Sequence, residues 1–537
     1  MSIWEAGAVD SQQFNVTDNL IFSSIASLLQ QWPNTLWRNG HTIIKGHIPA
    51  GTILYHGRHD SEAPTAFEWL AFNFEHSYLL CQSPECWMLT FAVREKINIL
   101  YFDGSSASNS LMGHLDSQDV LLWGKVRPEK LLDEVGRIRS LCAWGAPFGL
   151  DGYVRMEPGF ELMLCDFSKL RLVSSVRIHA PDRSKERGWN TRDDHGFGSI
   201  FQRRAIRRSN SVLLPPGGPP SREPPGLPPI PPPPPPVPPN WRGPFRTGHS
   251  VEIETCLAAA WNNFYPGEAR VKLDYTRMVS FYDPSLMSLL PSRDGLPKNR
   301  HRLVTLSKDD AKLAMDRLED DLNRKSGDPS TDWSMLLRTV MDRYGDRLWL
   351  LRDTLSSPER YDSIKLAAEQ VRLQVFVMLT PYLVYDAVPD EDSPTGGKDH
   401  SWVKPIIHRC STSLTAGVEE AQLFRSEKLI KRATDGVLRR ICSTIAEIWA
   451  DAMPVSMASE HRTHRLIGSW KRDVDVLMTW LDWPMWQTCH PACPPQMFCY
   501  IPTWPWGVEW TEMDPDDIDM APRCIDRTTG SLILPRF

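Results

Sequence analysis

Apolar residues recur along the first third of the chain in short runs bounded by turn-forming residues: HTIIKGHI at 41–48, TILYHGR at 52–58 and INILYFDG at 97–104. Runs of that length, rich in β-branched and aromatic residues, predict strands. A helical stretch, NLIFSSIASLLQQW, precedes them. Between Pro128 and Trp144 the residues Leu131, Leu132, Val135, Ile138, Leu141 and Cys142 fall at helical spacing, which predicts a helix with one apolar face. Three further runs, GYVRM, FELMLCDF and LRLVSSVRI, are separated by turn formers. Residues 1–178 therefore read as an α+β domain, a sheet with few helices and not a βαβαβ series.

The pattern then changes. From Arg183 to Arg208, eight Lys or Arg stand against Glu186, Asp193 and Asp194 with few apolar residues, and 17 of the 30 residues from Pro215 to Pro244 are proline. Such a stretch cannot pair in a sheet or extend a helix, so residues 179–248 read as a disordered basic and proline-rich linker. Helical periodicity returns over 249–455. Ser307 and Asp310 form a capping-box-like start before Ala311, Met315, Leu318 and Leu322, and Val437, Ile441, Ile445, Ile448 and Trp449 mark another apolar face. An α-helical domain is expected there. The last stretch, 456–537, reads as an irregular tail rich in Trp and Cys, with seven tryptophans and four cysteines in its final 70 residues.

A chain of 537 residues exceeds what one core comfortably serves. A net charge of -6 gives no general attraction to nucleic acid or to an anionic membrane. The opening residues lack a basic segment followed by an apolar one, and the most apolar later run, Val375 to Tyr385, is too short to span a bilayer and holds Pro381. An intracellular protein, cytoplasmic or nuclear, is the expectation. On that footing the eleven cysteines read as thiols rather than as a disulfide framework. Cys489, Cys493, Cys499 and Cys524, with His490, His461 and His464, could supply zinc ligands, but their spacing lacks paired C-x-x-C elements, so buried thiols are preferred and no metal is assigned. The six prolines Pro231 to Pro236 offer a polyproline II ligand to aromatic-lined grooves of the SH3, WW or profilin type.

No G-x-G-x-x-G, Walker A, H-E-x-x-H or G-x-S-x-G motif occurs. What remains is a three-part order: LYHGR at 54–58, WLAFNFEHSY at 69–78 and DGYVRMEPGFELMLCDFSKL at 151–170. That order resembles the ADP-ribosyltransferase superfamily, in its His-Tyr-Glu branch related to the poly(ADP-ribose) polymerases. The resemblance implies a split sheet that takes NAD as substrate, with His56 on a ribose hydroxyl, Gly57 gripping the nicotinamide carboxamide through its backbone, Trp69 stacking on the ring and Glu161 as the catalytic acid residue. The carboxylate would stabilise the positive charge that develops on ribose as nicotinamide leaves. Trp69 stands where that branch has Tyr, Arg58 follows the His-Gly pair where a small hydroxyl residue is common, and Glu157 competes with Glu161. Over its whole length the chain also resembles a group of uncharacterised fungal proteins that join YHGR, EWLAF and YFDG to a CYIPTWP-like tail. Two functions follow as expectations: an NAD-dependent ADP-ribosyltransferase or NAD glycohydrolase, or a non-catalytic binding or scaffold protein that keeps the fold and carries the polyproline segment.

Overall fold

The computed structural model describes residues 17–178 and 255–526, apart from 33–39, 82–85, 105–114, 132, 158, 256, 292–294, 297–299, 326–330, 384–387, 389–401, 454–457 and 502–520. The linker expected over 179–248, with Pro231 to Pro236, lies outside the described residues. The chain divides into two compact units, neither of them contiguous. One takes residues 29–273, 295–311 and 488–537; the other takes 1–28, 274–294 and 312–487. The first is an N-terminal mixed-sheet unit, and the second is mostly helical.

The sheet has nine strands, eight of them wholly within the first unit: β1 (Thr42–Ile48), β2 (Ile53–Arg58), β3 (Glu68–Ala71), β4 (Cys86–Val93), β5 (Ile97–Phe102), β6 (Gly152–Glu157), β7 (Gly159–Leu164) and β8 (Leu170–Ile178); the ninth, β9, is Lys272–Ser280. These eight lie in the order β8-β4-β2-β3-β7-β6-β5-β1. Among them β5 and β6 run parallel and the other neighbours are antiparallel. A parallel pair needs a long crossover, and here it carries the helices Asp116–Trp123 and Glu134–Gly145. Central strand β7 is buried along its whole length, whereas edge strand β8 leaves Val173 and Val176 exposed. Gly46 of β1 admits the backbone of Lys272, since a Cβ there would sit 2.7 Å from the Lys272 carbonyl oxygen.

The Glu134–Gly145 helix starts later than the apolar spacing predicts. Asp133 caps it by accepting the Gly136 N–H at 3.1 Å, and Pro128–Lys130 forms only a 3-10 turn. Ile138 and Leu141 are buried, but Val135 is exposed. In the helical unit, Arg425–Ala452 is the central helix. It buries Val437, Ile441, Ile445, Ile448 and Trp449, as the spacing predicts. Glu427 serves its first turn, accepting the Phe424 N–H and the Trp333 indole N–H at 3.1 Å each. The tail is less irregular than expected: Glu460–Leu481 is a helix of 22 residues belonging to the helical unit, and Met497–Tyr500 (β10) pairs with Arg523–Asp526 (β11).

The expectation of free thiols is corrected. Ten cysteines form five bridges, Cys81–Cys86, Cys142–Cys165, Cys410–Cys442, Cys489–Cys499 and Cys493–Cys524. Three of these join residues 23 to 32 positions apart, so the fold rather than any spacing motif brings them together. Disulfides persist where thiols are oxidised, so cysteine usage no longer argues for an intracellular location. No described helix is long and apolar enough to cross a membrane.

Candidate functional site

The site residues sit on three adjacent strands, and register decides which of them can meet. Tyr55 of β2 lies opposite Ala71 of β3, Ala71 opposite Glu161 of β7, and Glu161 opposite Arg155 of β6. Opposed residues in antiparallel strands share a face, and successive residues along a strand alternate. Tyr55, Gly57, Trp69, Glu161 and Arg155 therefore point to one side of the sheet. His56 points to the other, with Glu68, Leu70 and Leu162.

Side-chain contacts agree with this division. The Phe74–Leu80 helix covers the Glu161 side: the Phe74 ring meets the Tyr55 ring, and a Cβ on Gly57 would lie 2.7 Å from the Ser77 carbonyl oxygen. Gly57 is thus required for close helix packing, and the space a carboxamide would need above it is filled by Ser77 and Cys81. His76 of the same helix places Nε2 3.5 Å from Glu161 Oε2. Arg155 bonds Glu161 Oε1 through Nε at 2.5 Å and reaches Glu134 Oε2 through Nη1 at 2.8 Å. Burial alone would raise the Glu161 carboxyl, but the Arg155 guanidinium and His76 outweigh it and hold the group below the usual carboxylate range. Glu161 is thus an ionised, buried carboxylate already matched by a cation.

On the opposite side, His56 Nε2 lies 3.5 Å from Glu68 Oε1. Burial, reinforced by the Arg58 charge, lowers His56 to about 4, while burial raises Glu68 to about 7. Near neutral pH His56 is uncharged and Glu68 is partly protonated, so their contact is a hydrogen-bond-like approach and not a full ion pair. Arg58 turns away to bond Asp60 at 2.8 Å.

The three-strand arrangement brings Gly57, Trp69 and Glu161 to one face and leaves His56 out. Sequence reading missed His76, Arg155 and Glu134 around Glu161, and Glu68 beside His56. One of these was within reach: the Pro158-Gly159 dipeptide between two apolar runs signals a hairpin, and a hairpin centred there sets Arg155 against Glu161. His76 and Glu134 approach from helices remote from β7 in sequence, and no local pattern announces them. The zinc-ligand set is likewise rearranged, since Cys489, Cys493, Cys499 and Cys524 are bridged in the sheet unit while His461 and His464 lie on the Glu460–Leu481 helix.

No solved structure matches the chain. The family model of the YPL277C N-terminal domain matches residues 12–85 and 80–192. Uncharacterized protein YPL277C of Saccharomyces cerevisiae is 29% identical over 325 residues, which cover 48% of this chain and 60% of that protein. Uncharacterized protein YOR389W of the same yeast is 25% identical over 558 aligned residues, covering 90% of this chain and 81% of that protein. The chain is thus similar to YOR389W along most of its length, and to the YPL277C N-terminal domain over the segment that builds β1 to β8.

Proposed function

We propose that the protein is a non-catalytic binding or scaffold protein, in which the sheet unit is a disulfide-braced platform and recognition runs through the polyproline segment Pro231 to Pro236. The observation that carries this reading is the state of Glu161. A carboxylate that is to stabilise charge developing on a sugar must face a vacant, water-poor cleft. Glu161 instead faces the Arg155 guanidinium at 2.5 Å beneath the Phe74–Leu80 helix, with His56 on the far side of the sheet. Six consecutive prolines supply a stiff, low-entropy ligand that needs no catalytic cleft.

The second reading, NAD cleavage by an ADP-ribosyltransferase-like site, is favoured by one observation: Gly57, Trp69 and Glu161 share a face. Calorimetry of the full chain with NAD, together with a nicotinamide-release assay, separates the two. Neither heat nor release at millimolar NAD is expected. Release that disappears in Glu161→Gln would overturn the non-catalytic reading, whereas unchanged capture of SH3-, WW- or profilin-type domains after replacing Pro231 to Pro236 with Gly and Ser would remove its proposed partners.

A further inference from the structure

Two of the five disulfides occupy one place. Cys499 of β10 lies directly opposite Cys524 of β11, yet each is bridged elsewhere, Cys499 to Cys489 and Cys524 to Cys493. The Sγ atoms of Cys489, Cys493 and Cys524 all fall within 4.8 Å of one another, and the bond to Cys489 adds the fourth sulfur. The Cys489 backbone N–H donates to Cys499 Sγ at 3.1 Å, a contact that strengthens as sulfur gains negative charge. The other three bridges join cysteines that belong to no such group among the described residues.

The pair of strands β10 and β11 separates this sulfur cluster from its own packing. Phe498 opposes Ile525 and Tyr500 opposes Arg523, on the face away from Cys499 and Cys524. Phe498, Tyr500 and Ile525 form an apolar cluster with Trp32 and Ile501. The apolar contacts of the strand pair thus lie on the face that the two disulfides do not use.

We infer that these four sulfurs are one redox-gated metal site, which holds two disulfides when oxidised and a single thiophilic divalent cation of the zinc class when reduced. A dithiol reductant supplies the change: each disulfide accepts two electrons and two protons and becomes two thiols, while one dithiol per bridge is oxidised to its own disulfide. The cation then displaces the four thiol protons and is bound by four thiolates. Zinc–sulfur bonds near 2.3 Å in a tetrahedron place the sulfurs about 3.8 Å apart. The bridged pairs must spread to reach that distance, and Cys489 already has the Cys493 and Cys524 sulfurs within 4.8 Å. This inference stands apart from the reading of Glu161.

The test uses the full chain, reduced with a phosphine under anaerobic conditions and titrated with Co2+. One Co2+ per chain is expected, with the visible absorption of tetrahedral thiolate coordination, lost when Zn2+ is added and absent from the oxidised chain. Cys493→Ser should weaken uptake at least tenfold, and Cys489→Ser with Cys524→Ser should abolish it. Cys81→Ser with Cys86→Ser should leave it unchanged. Absorption that persists in the Cys489→Ser, Cys524→Ser chain, or a reduced chain that binds no Co2+, overturns the inference. Alkylation read by mass spectrometry gives a second measure that does not depend on the variants folding. Zn2+ should protect Cys489, Cys493, Cys499 and Cys524 in the reduced wild-type chain, and alkylation of these four as fast as that of Cys81 and Cys86 overturns the inference equally.

Discussion

His56 and Glu68 make opposing contributions to stability as pH changes, and removing either one should expose the other. The His56 imidazole is held at about 4 against an ordinary value of 6.5. Between those values the unfolded chain holds a proton that the folded site refuses, so stability is intact above about pH 6.5 and falls as pH drops toward 4. At about 1.4 kcal/mol for each pH unit the full window is worth about 3 kcal/mol. Glu68 runs the other way. Its carboxyl is raised to about 7 from 4.5, so the folded site holds a proton that the unfolded chain lacks, and this stabilisation is lost as pH rises through 7. Because the Glu68 side chain is 35% exposed, solvent screening cuts its share to about 1–2 kcal/mol. The two slopes overlap and partly cancel in the wild-type chain. Glu68→Gln should steepen the loss on acidification, and His56→Asn should make the region firmer as pH falls. Hydrogen exchange of the peptide covering Ile53–Arg58, compared between variants at the same pH, reads this local stability without interference from the intrinsic exchange chemistry. A constant difference between wild type and His56→Asn from about pH 7.5 to about pH 4 would refute the argument.

Further predictions concern the other face and the bridges. Glu161→Gln leaves the buried Arg155 with a weaker partner and should cost about 3–5 kcal/mol, seen as a lower thermal midpoint; an unchanged midpoint would show that the Arg155–Glu161 pair contributes no net stability. Gly57→Ala forces its new methyl group against the Ser77 carbonyl and should cost about 1–3 kcal/mol, with faster exchange in the Phe74–Leu80 helix as the readout. Cys142→Ser with Cys165→Ser opens a loop closed over 23 residues and should cost about 3 kcal/mol in urea unfolding, most of it through the unfolded chain.

What the sequence disclosed follows the range of the interactions involved. The strands TIIKGHI and INILYF and the apolar stripe from Val437 to Trp449 were legible because burial of one face imposes a period that the residues themselves display. The start of the Glu134–Gly145 helix was misplaced because a single capping side chain, Asp133, outweighs the apolar residues before it. Glu161 was singled out in the sequence as a catalytic carboxylate, but its partners Arg155 and His76 come from another strand and a helix, and its side of the sheet depends on register. A shift of one residue between β2 and β3 would have set His56 beside it. The disulfides were hidden for the same reason: Cys142 meets Cys165 because the Glu134–Gly145 helix packs on β6 and the strand that Cys165 follows, β7, returns beside β6.

The interleaving of the two units has a consequence for how the protein can be made. Asn19, on the helix Asp18–Ala26, donates to the Trp480 carbonyl at 2.5 Å, a contact that spans 461 residues. Trp32 meets Tyr500 with ring centroids 5.8 Å apart. A ribosome adding about 5–20 residues per second delivers the distant partner of Asn19 roughly 20 to 90 s after the helix itself has been made. During that interval Ile21, Phe22 and Ile25, buried in the folded chain, have no finished core to enter. The same arithmetic applies to gene fragments. A stop codon before Arg425 releases a chain in which the first helix lacks the Arg425–Ala452 helix it packs against, however complete β1 to β8 are.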